Sequence, residues 1–297
     1  MSVNLHNPAI DAGRPQDKGH IRNAARRSPV MFMFILTAWV AAIIWFGPRL
    51  VQVLDIAQGP VSSFALHYFV VFIPVAWLYG IYNLSVVLFA LVDRVLPKRE
   101  HALGAADTPV AVLYTTCNDF VETSALSCAK LDYEHFRVYI LDDSSDPEIM
   151  GKIDRFAARY DHVQVVRRSN RVGFKAGNLN HALGNVVEEP LFVIADSDEI
   201  LPRDFLRVLV PRINGDPDCG FIQANHRCLQ RGTKLQRDMC HGVDVHWKWY
   251  QPLRNRFGFV MLLGHGAILR SNCWQMVGGF PEVVSEDLAY AIAIREQ

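Results

Sequence analysis

Two short acidic motifs and one basic block carry the chemistry available to this chain. Leu191-Phe-Val-Ile-Ala-Asp196-Ser-Asp198 runs four apolar residues and an alanine into a pair of carboxylates one residue apart. Carboxylates in that spacing suit a hard divalent cation, and such cations commonly hold a diphosphate. Asp142-Asp143 repeats the pattern after a second apolar run, Phe136–Leu141. A carboxylate there can accept a hydrogen bond from a uracil imide or a ribose hydroxyl; equally, Ser144, Ser145 and Asp146 are good N-caps for a helix that follows. Lys175-Ala-Gly-Asn-Leu-Asn180 lies in a basic, glycine-containing loop opening a helix. Lys175 and the backbone N–H groups near Gly177 can face an anion there. The spacing is not that of a phosphate-binding GxxxxGK[ST] loop, which argues against ordinary nucleotide hydrolysis. Ser285-Glu286-Asp287 follows a Gly278-Gly279-Phe280-Pro281 turn and begins an apolar helix. Its acids suit a helix dipole, and one projecting into a cleft can take a proton from a hydroxyl nucleophile.

These motifs need strand ends to position them. Val110–Thr116, Phe136–Leu141, His162–Val166, Leu191–Ala195 and Gly220–Gln223 read as strands. They alternate with helices after Asn118-Asp119, over Pro147–Tyr160, from the Lys175 block, and over Leu201–Ile213. That order predicts an α/β fold with a mostly parallel, doubly wound sheet, whose ligands bind outside the carboxyl ends of its strands. Residues 233–260 hold Trp247, Trp249 and Tyr250 among Lys248, Arg254 and Arg256. Such aromatics stack on sugars, sit at a membrane–water interface, or pack an amphipathic helix on the sheet.

The 297 residues are 51% hydrophobic, with a mean hydropathy of +0.11. The excess lies near the N-terminus. Residues 1–29 read as a basic tail carrying Arg14, Lys18, Arg22, Arg26 and Arg27. Residues 30–47 and 65–92 are two uncharged apolar runs long enough to cross a bilayer, joined by residues 48–64 with Arg49 as their one Lys or Arg. Arg94, Lys98 and Arg99 follow in a linker over 93–108. The excess of positive charge on both outer flanks makes the tail and everything after the second span cytoplasmic, and the loop extracytoplasmic. Equal numbers of acidic and basic residues, 30 each, give no charge argument for nucleic acid. Six cysteines without a CxxC pair suggest free thiols rather than a zinc site or a disulfide framework.

In order and spacing, Asn118-Asp119, Asp142-Asp143, Lys175-Ala-Gly-Asn-Leu-Asn180, Asp196-Ser-Asp198, Gly279-Phe280 and Ser285-Glu286-Asp287 resemble the membrane-bound, processive family-2 glycosyltransferases, the cellulose synthase-like group. The resemblance implies a glycosyltransferase A-type (Rossmann-like) domain over 109–297 and an inverting transfer. It implies a nucleoside diphosphate sugar, with UDP-glucose favoured, and an acceptor hydroxyl on a growing β-glycan or a lipid-linked acceptor. Mg²⁺ or Mn²⁺ would sit on Asp196 and Asp198. Donor contacts would come from Asn118, Asp119, Asp142, Asp143, Lys175, Asn178 and Asp196, and Asp287 would be the general base. His265, in Gly264-His265-Gly266, would approach the acceptor end.

The chain departs from the family pattern in having Asn-Asp rather than Asn-Glu at 118–119, and Ser285 where threonine is usual. The Gln-x-x-Arg-Trp motif and the further membrane helices of processive members do not occur before Gln297, so the expectation is a domain incomplete at its C-terminus. Two other functions fit the sequence: a non-catalytic or truncated membrane subunit with the donor fold that acts through a partner such as other synthase subunits, and a single-transfer polyprenyl-phosphate glycosyltransferase.

Overall fold

The computed structural model describes residues 29–97, 102–229 and 232–296; nearly all of the expected basic tail and part of the linker lie outside them. Two long helices come first, α1 (Val30–Gln52) and α2 (Pro60–Val95). Both are long and apolar enough to cross a membrane by length and composition, and few of their side chains are buried. They run further than the apolar stretches alone suggested. Residues 48–64, expected to be a loop, are largely helical: α1 passes through Pro48, a 3₁₀ turn covers Val53–Ile56, and only 57–59 interrupt before α2. The helical run ends at Ala57, whose backbone is extended, and Gly59 makes the turn at φ +89°, with Pro60 preset for the first helical position of α2.

The remainder is an α/β domain on a six-stranded sheet ordered β3-β2-β1-β4-β6-β5. β1 (Val110–Thr116), β2 (Phe136–Asp142), β3 (Val163–Val166) and β4 (Leu191–Asp196) are mutually parallel. β6 (Ala267–Arg270) inserts antiparallel between β4 and β5 (Phe221–Gln223). The sheet is therefore mixed at one edge, and β6 is a strand the sequence reading missed.

Alternate residues of each strand feed two cores. Val110, Val112 and Tyr114 of β1 face α3 (Glu122–Ala129), α4 (Pro147–Ala157) and α6 (Phe205–Asn214) through Ala125, Phe156 and Leu206. Ala111 and Leu113 face α5 (Phe174–Asn185) and α10 (Glu286–Glu296) through Leu179 and Tyr290. α9 (Ser271–Val277) adds Trp274 to that side. Burial on both faces is why the central strands read as continuous apolar runs rather than alternating ones.

α7 (Lys234–Val245), a π-helical turn over His246–Tyr250 and α8 (Gln251–Phe257) form one bent helical arm. Leu253 packs with Met31, Ile35, Val86 and Phe89 of α1 and α2. Tyr250 stacks on Tyr82 and donates to Asn83 Oδ1 at 2.8 Å. Arg254 donates to Tyr82 Oη at 2.8 Å, and Arg256 pairs with Asp93 at 2.6 Å. Trp249 and Tyr250 thus bind the arm to the apolar helices, whereas Trp247 is 7% exposed and packs against His226.

Candidate active site

Every motif lands on the same edge of the sheet. The parallel strands end there at Thr116, Asp142, Val166 and Asp196. β5 also runs toward that edge, leading to His226, and the antiparallel β6 begins there, bringing the preceding Gly264-His265-Gly266.

At the end of β4, Asp196 pairs with Lys175 Nζ and accepts a 2.9 Å hydrogen bond from Thr115 Oγ1. Lys175 Nζ also donates to Gly264 O at 3.0 Å. Gly264 adopts φ +73°, and a Cβ there would lie 3.5 Å from Asp287 Oδ2. One run of contacts therefore links Asp196, Lys175 and Gly264, and the Asp287 carboxylate lies on the open side of Gly264 where a side chain would project. Asp198 is exposed, and its carboxylate takes no hydrogen bond or ion pair among the described residues. An oxygen donor left open beside Asp196 at a strand end fits a divalent metal.

Ser197, between the two acids, points inward and donates to Asp119 Oδ2 at 2.7 Å. Asp119 Oδ1 also accepts from Thr116 Oγ1 at 2.8 Å and from Cys117 N at 2.7 Å. Burial pushes the Asp119 carboxyl upward, but these hydrogen bonds outweigh it and hold the group below its ordinary range. Asp119 thus buckles the end of β1 to the end of β4. Asn118, at φ +65°, accepts from Ser145 N at 2.8 Å and Asp146 N at 3.0 Å, tying the same loop to the end of β2.

Asp142 and Asp143 face two arginines. Asp142, 3% exposed, accepts from Arg167 Nε at 2.7 Å and from Ser144 N at 2.9 Å. Asp143 takes a bidentate pair from Arg168, at 2.9 and 2.6 Å. Arg168 also donates to Val172 O and Phe174 O, folding the 168–174 loop over the start of α5. The N-cap role falls to Asp146, which accepts from Glu148 N at 2.8 Å.

The lysine block divides its labour. Gly177 is obligatory, since a Cβ there would lie 2.0 Å from Val172 O. Its N–H closes onto Gly173 O at 2.8 Å, so the expected backbone cradle for an anion is spent inside the helix and Lys175 is the cation left facing the cleft. Asn178, 3% exposed, donates to Leu141 O at 3.1 Å; it braces β2 from behind the cleft. Asn180, which the sequence reading did not single out, clamps the turn before Asp287: it donates to Phe280 O at 2.9 Å and accepts from Phe280 N at 2.8 Å and Trp274 Nε1 at 3.0 Å. Its signal in the sequence was the second asparagine of the block. Asp287 lies in the first turn of α10 and is partly exposed.

His265 and His226 meet beside these groups, with ring centroids 4.4 Å apart. Glu199 lies 3.5 Å from His265 Nδ1 and 3.8 Å from His226 Nε2. Interaction with Glu199 raises the His265 pKa against the opposing effect of burial; burial, followed by the neighbouring His265, lowers that of His226.

Carboxylates, a lysine and a candidate base gathered outside the strand ends of a mixed sheet define a glycosyltransferase A-type domain. The family described as "Glycosyl transferase family 2" matches residues 110–275, and the chain belongs to it. It is similar to "Putative cellulose synthase 2" of Komagataeibacter xylinus, 30% identical over 68% of this chain and 14% of that protein. It is also similar to "Probable glucomannan 4-beta-mannosyltransferase 15" of Arabidopsis thaliana, 27% identical over 53% of this chain and 31% of the relative. The chain thus spans well under half the length of these relatives. Among solved structures, the mannosyltransferase PcManGT of Pyrobaculum calidifontis, in complex with GDP-Man and Mn²⁺, shares the fold with a TM-score of 0.53 and 22% identity, over 69% of this chain and 57% of the other.

Proposed function

We propose that the chain transfers a sugar, with inversion, from a nucleoside diphosphate donor to a hydroxyl of a β-glycan at a membrane, with UDP-glucose as the donor. The observation that carries this reading is the contact run from Asp196 through Lys175 to Gly264, with Asp287 facing the open side of Gly264 and Asp198 left open beside Asp196. Asp196 and Asp198 would hold Mg²⁺ or Mn²⁺, and the bound metal would supply charge stabilisation to the departing diphosphate. Lys175 is held by Asp196 until an anionic donor offers it a stronger partner. Asp142 and Asp143, with Asn118 and Asp119 on the adjoining loop, form the wall for the nucleoside. Arg167 and Arg168 fix both carboxylates in place; the Asp142 side chain is fully buried, so Asp143 is the one of the two that meets the base or ribose as a hydrogen-bond acceptor. Asn178 acts on that wall indirectly by bracing β2.

Asp287 takes the proton of the acceptor hydroxyl as that oxygen attacks the anomeric carbon from the face opposite the diphosphate. A single displacement inverts the centre and needs no covalent enzyme intermediate. Asn180 keeps the Phe280 turn, and with it Asp287, in register. Relatives that make cellulose and glucomannan favour a β-glycan product. The apolar helices α1 and α2 would span the membrane with the domain on the cytoplasmic side, and the α8 arm would bind the domain to them.

The test is transfer from radiolabelled UDP-glucose by the purified chain in detergent, with Mn²⁺ and β-glucan oligosaccharide acceptors, the product linkage being read by NMR. A β-linked product that disappears in Asp287→Asn supports the reading. An α-linked product, or transfer by Asp287→Asn at the wild-type rate, overturns it.

A further inference from the structure

The motif reading leaves Glu199, His226 and His265 without a shared task, yet they converge from three separate segments. Glu199 follows β4, His226 follows β5 and His265 precedes β6, and their donor atoms all lie within 4.8 Å of one another. Glu199 Oε2 and His265 Nδ1 are buried and face each other at 3.5 Å, too long for a good hydrogen bond, and neither bonds to any other group. Buried polar atoms are nearly always better satisfied than this, and an ion between the two would satisfy both.

The surroundings keep this space open. Gly266 adopts φ +58°, and a Cβ there would lie 2.4 Å from Glu199 Oε1 and 2.5 Å from His226 Nε2. The two amide protons of Gln223 have carbonyl acceptors, His265 O at 2.8 Å and Gly266 O at 3.1 Å, while Gln223 Oε1 accepts from Leu263 N at 2.8 Å. Gln223 thereby fixes the backbone that presents His265, and its Nε2 also lies in hydrogen-bond reach of His226 Nε2 at 3.2 Å, a weak third contact that an ion on that nitrogen would displace. Trp247 closes the outer side against the His226 ring at 4.7 Å.

We infer that Glu199, His226 and His265 form a binding site for a divalent transition metal of the zinc type, separate from the pair Asp196 and Asp198. Two imidazoles and a carboxylate are a zinc donor set, with a fourth position left for water. A tetrahedral ion with bonds of about 2.0–2.1 Å spaces its donors roughly 3.3 Å apart. The observed gaps, 3.5 Å from Glu199 Oε2 to His265 and 3.8 Å from Oε1 to His226, with all donor separations within 4.8 Å, are longer than that spacing, so an ion would draw the three side chains inward. Imidazole nitrogen selects zinc-like ions over Mg²⁺, whereas the all-oxygen pair at Asp196 and Asp198 selects the harder ion. The site pins the ends of β4, β5 and β6 together. It also fixes the Gly264-His265-Gly266 loop, whose Gly264 accepts from Lys175 and whose open side faces Asp287.

The test titrates Co²⁺ alone, without nucleotide sugar, into the full chain in detergent and follows the visible d–d absorption of the ion. Wild type should develop the intense bands of a four-coordinate site, and Zn²⁺ should displace them. His226→Ala and His265→Ala should each weaken binding by more than the roughly 10–100-fold that loss of an outer-sphere partner costs. Asp198→Asn should bind Co²⁺ like wild type. X-ray absorption of the Co²⁺-loaded wild type should show imidazole scattering, a readout that needs no variant to fold. The proposal is overturned by an absence of binding, by an all-oxygen shell, by thiolate charge-transfer bands from the free cysteines, or by binding that Asp198→Asn abolishes and folded histidine variants keep.

Discussion

Asp119 and the pair Asp143–Arg168 show how individual side chains hold this cleft in shape. Asp119 accepts from Thr116, Cys117 and Ser197, so it is stabilised as a carboxylate. Its folded pKa is depressed, so its contribution to stability is complete above the unfolded value of about 3.9 and is lost as pH falls through the lower folded value. Urea unfolding across the acid range should therefore show a shallower loss of stability in Asp119→Ala than in wild type. Arg168 is buried against Asp143, and removing one partner of such a pair leaves a stranded charge. Arg168→Ala should destabilise the domain by about 3–5 kcal/mol in denaturant unfolding. Asn180→Ala should instead lower kcat while leaving donor affinity near wild type, because Asn180 grips the turn before Asp287 and touches none of the donor wall.

At this scale the acids, the lysine and the general character of the site were legible in the sequence, because a carboxylate after an apolar run announces itself. What each group touches was not. Neither the inward turn of Ser197 toward Asp119 nor the burial of Asn178 behind β2 leaves a trace in residue spacing, since both depend on how neighbouring strand ends abut.

Among the elements, the four parallel strands and their helices fell where the apolar runs placed them, within a few residues. β6 was missed because Ala267–Arg270 is four residues long and follows Gly264-His265-Gly266, which reads as a loop. Its antiparallel entry can be recognised only from its partners, β4 and β5. That insertion delivers His265 and Gly264 to the active edge, so the missed strand concealed part of the site. The helical arm resolved an ambiguity the sequence left open: Tyr250 and Arg254 bind α2, and Trp247 faces the domain. A double-mutant cycle of Tyr250→Phe with Asn83→Ala should return a coupling of about 0.5–1.5 kcal/mol in thermal or denaturant unfolding. A coupling of zero would mean that this hydrogen bond does not fasten the arm.

For the whole molecule, the fold places a family-2 glycosyltransferase domain directly against two apolar helices, with Leu253, Met31, Ile35, Val86 and Phe89 sharing one small core. In the proposed function the membrane helices and the cleft move as one body, which suits an acceptor that stays at a surface while donors arrive from solution. In the proposed mechanism Asp196 and Asp198 bind the donor diphosphate through a divalent metal. Calorimetric titration of UDP-glucose into the detergent-solubilised chain, with and without Mn²⁺ and alongside Asp198→Asn and Asp287→Asn, tests it most directly. Mn²⁺-dependent binding is expected for wild type and for Asp287→Asn, with a loss of at least about 10–100-fold in affinity for Asp198→Asn. Binding of equal strength in Asp198→Asn, or in wild type stripped of metal, would contradict it.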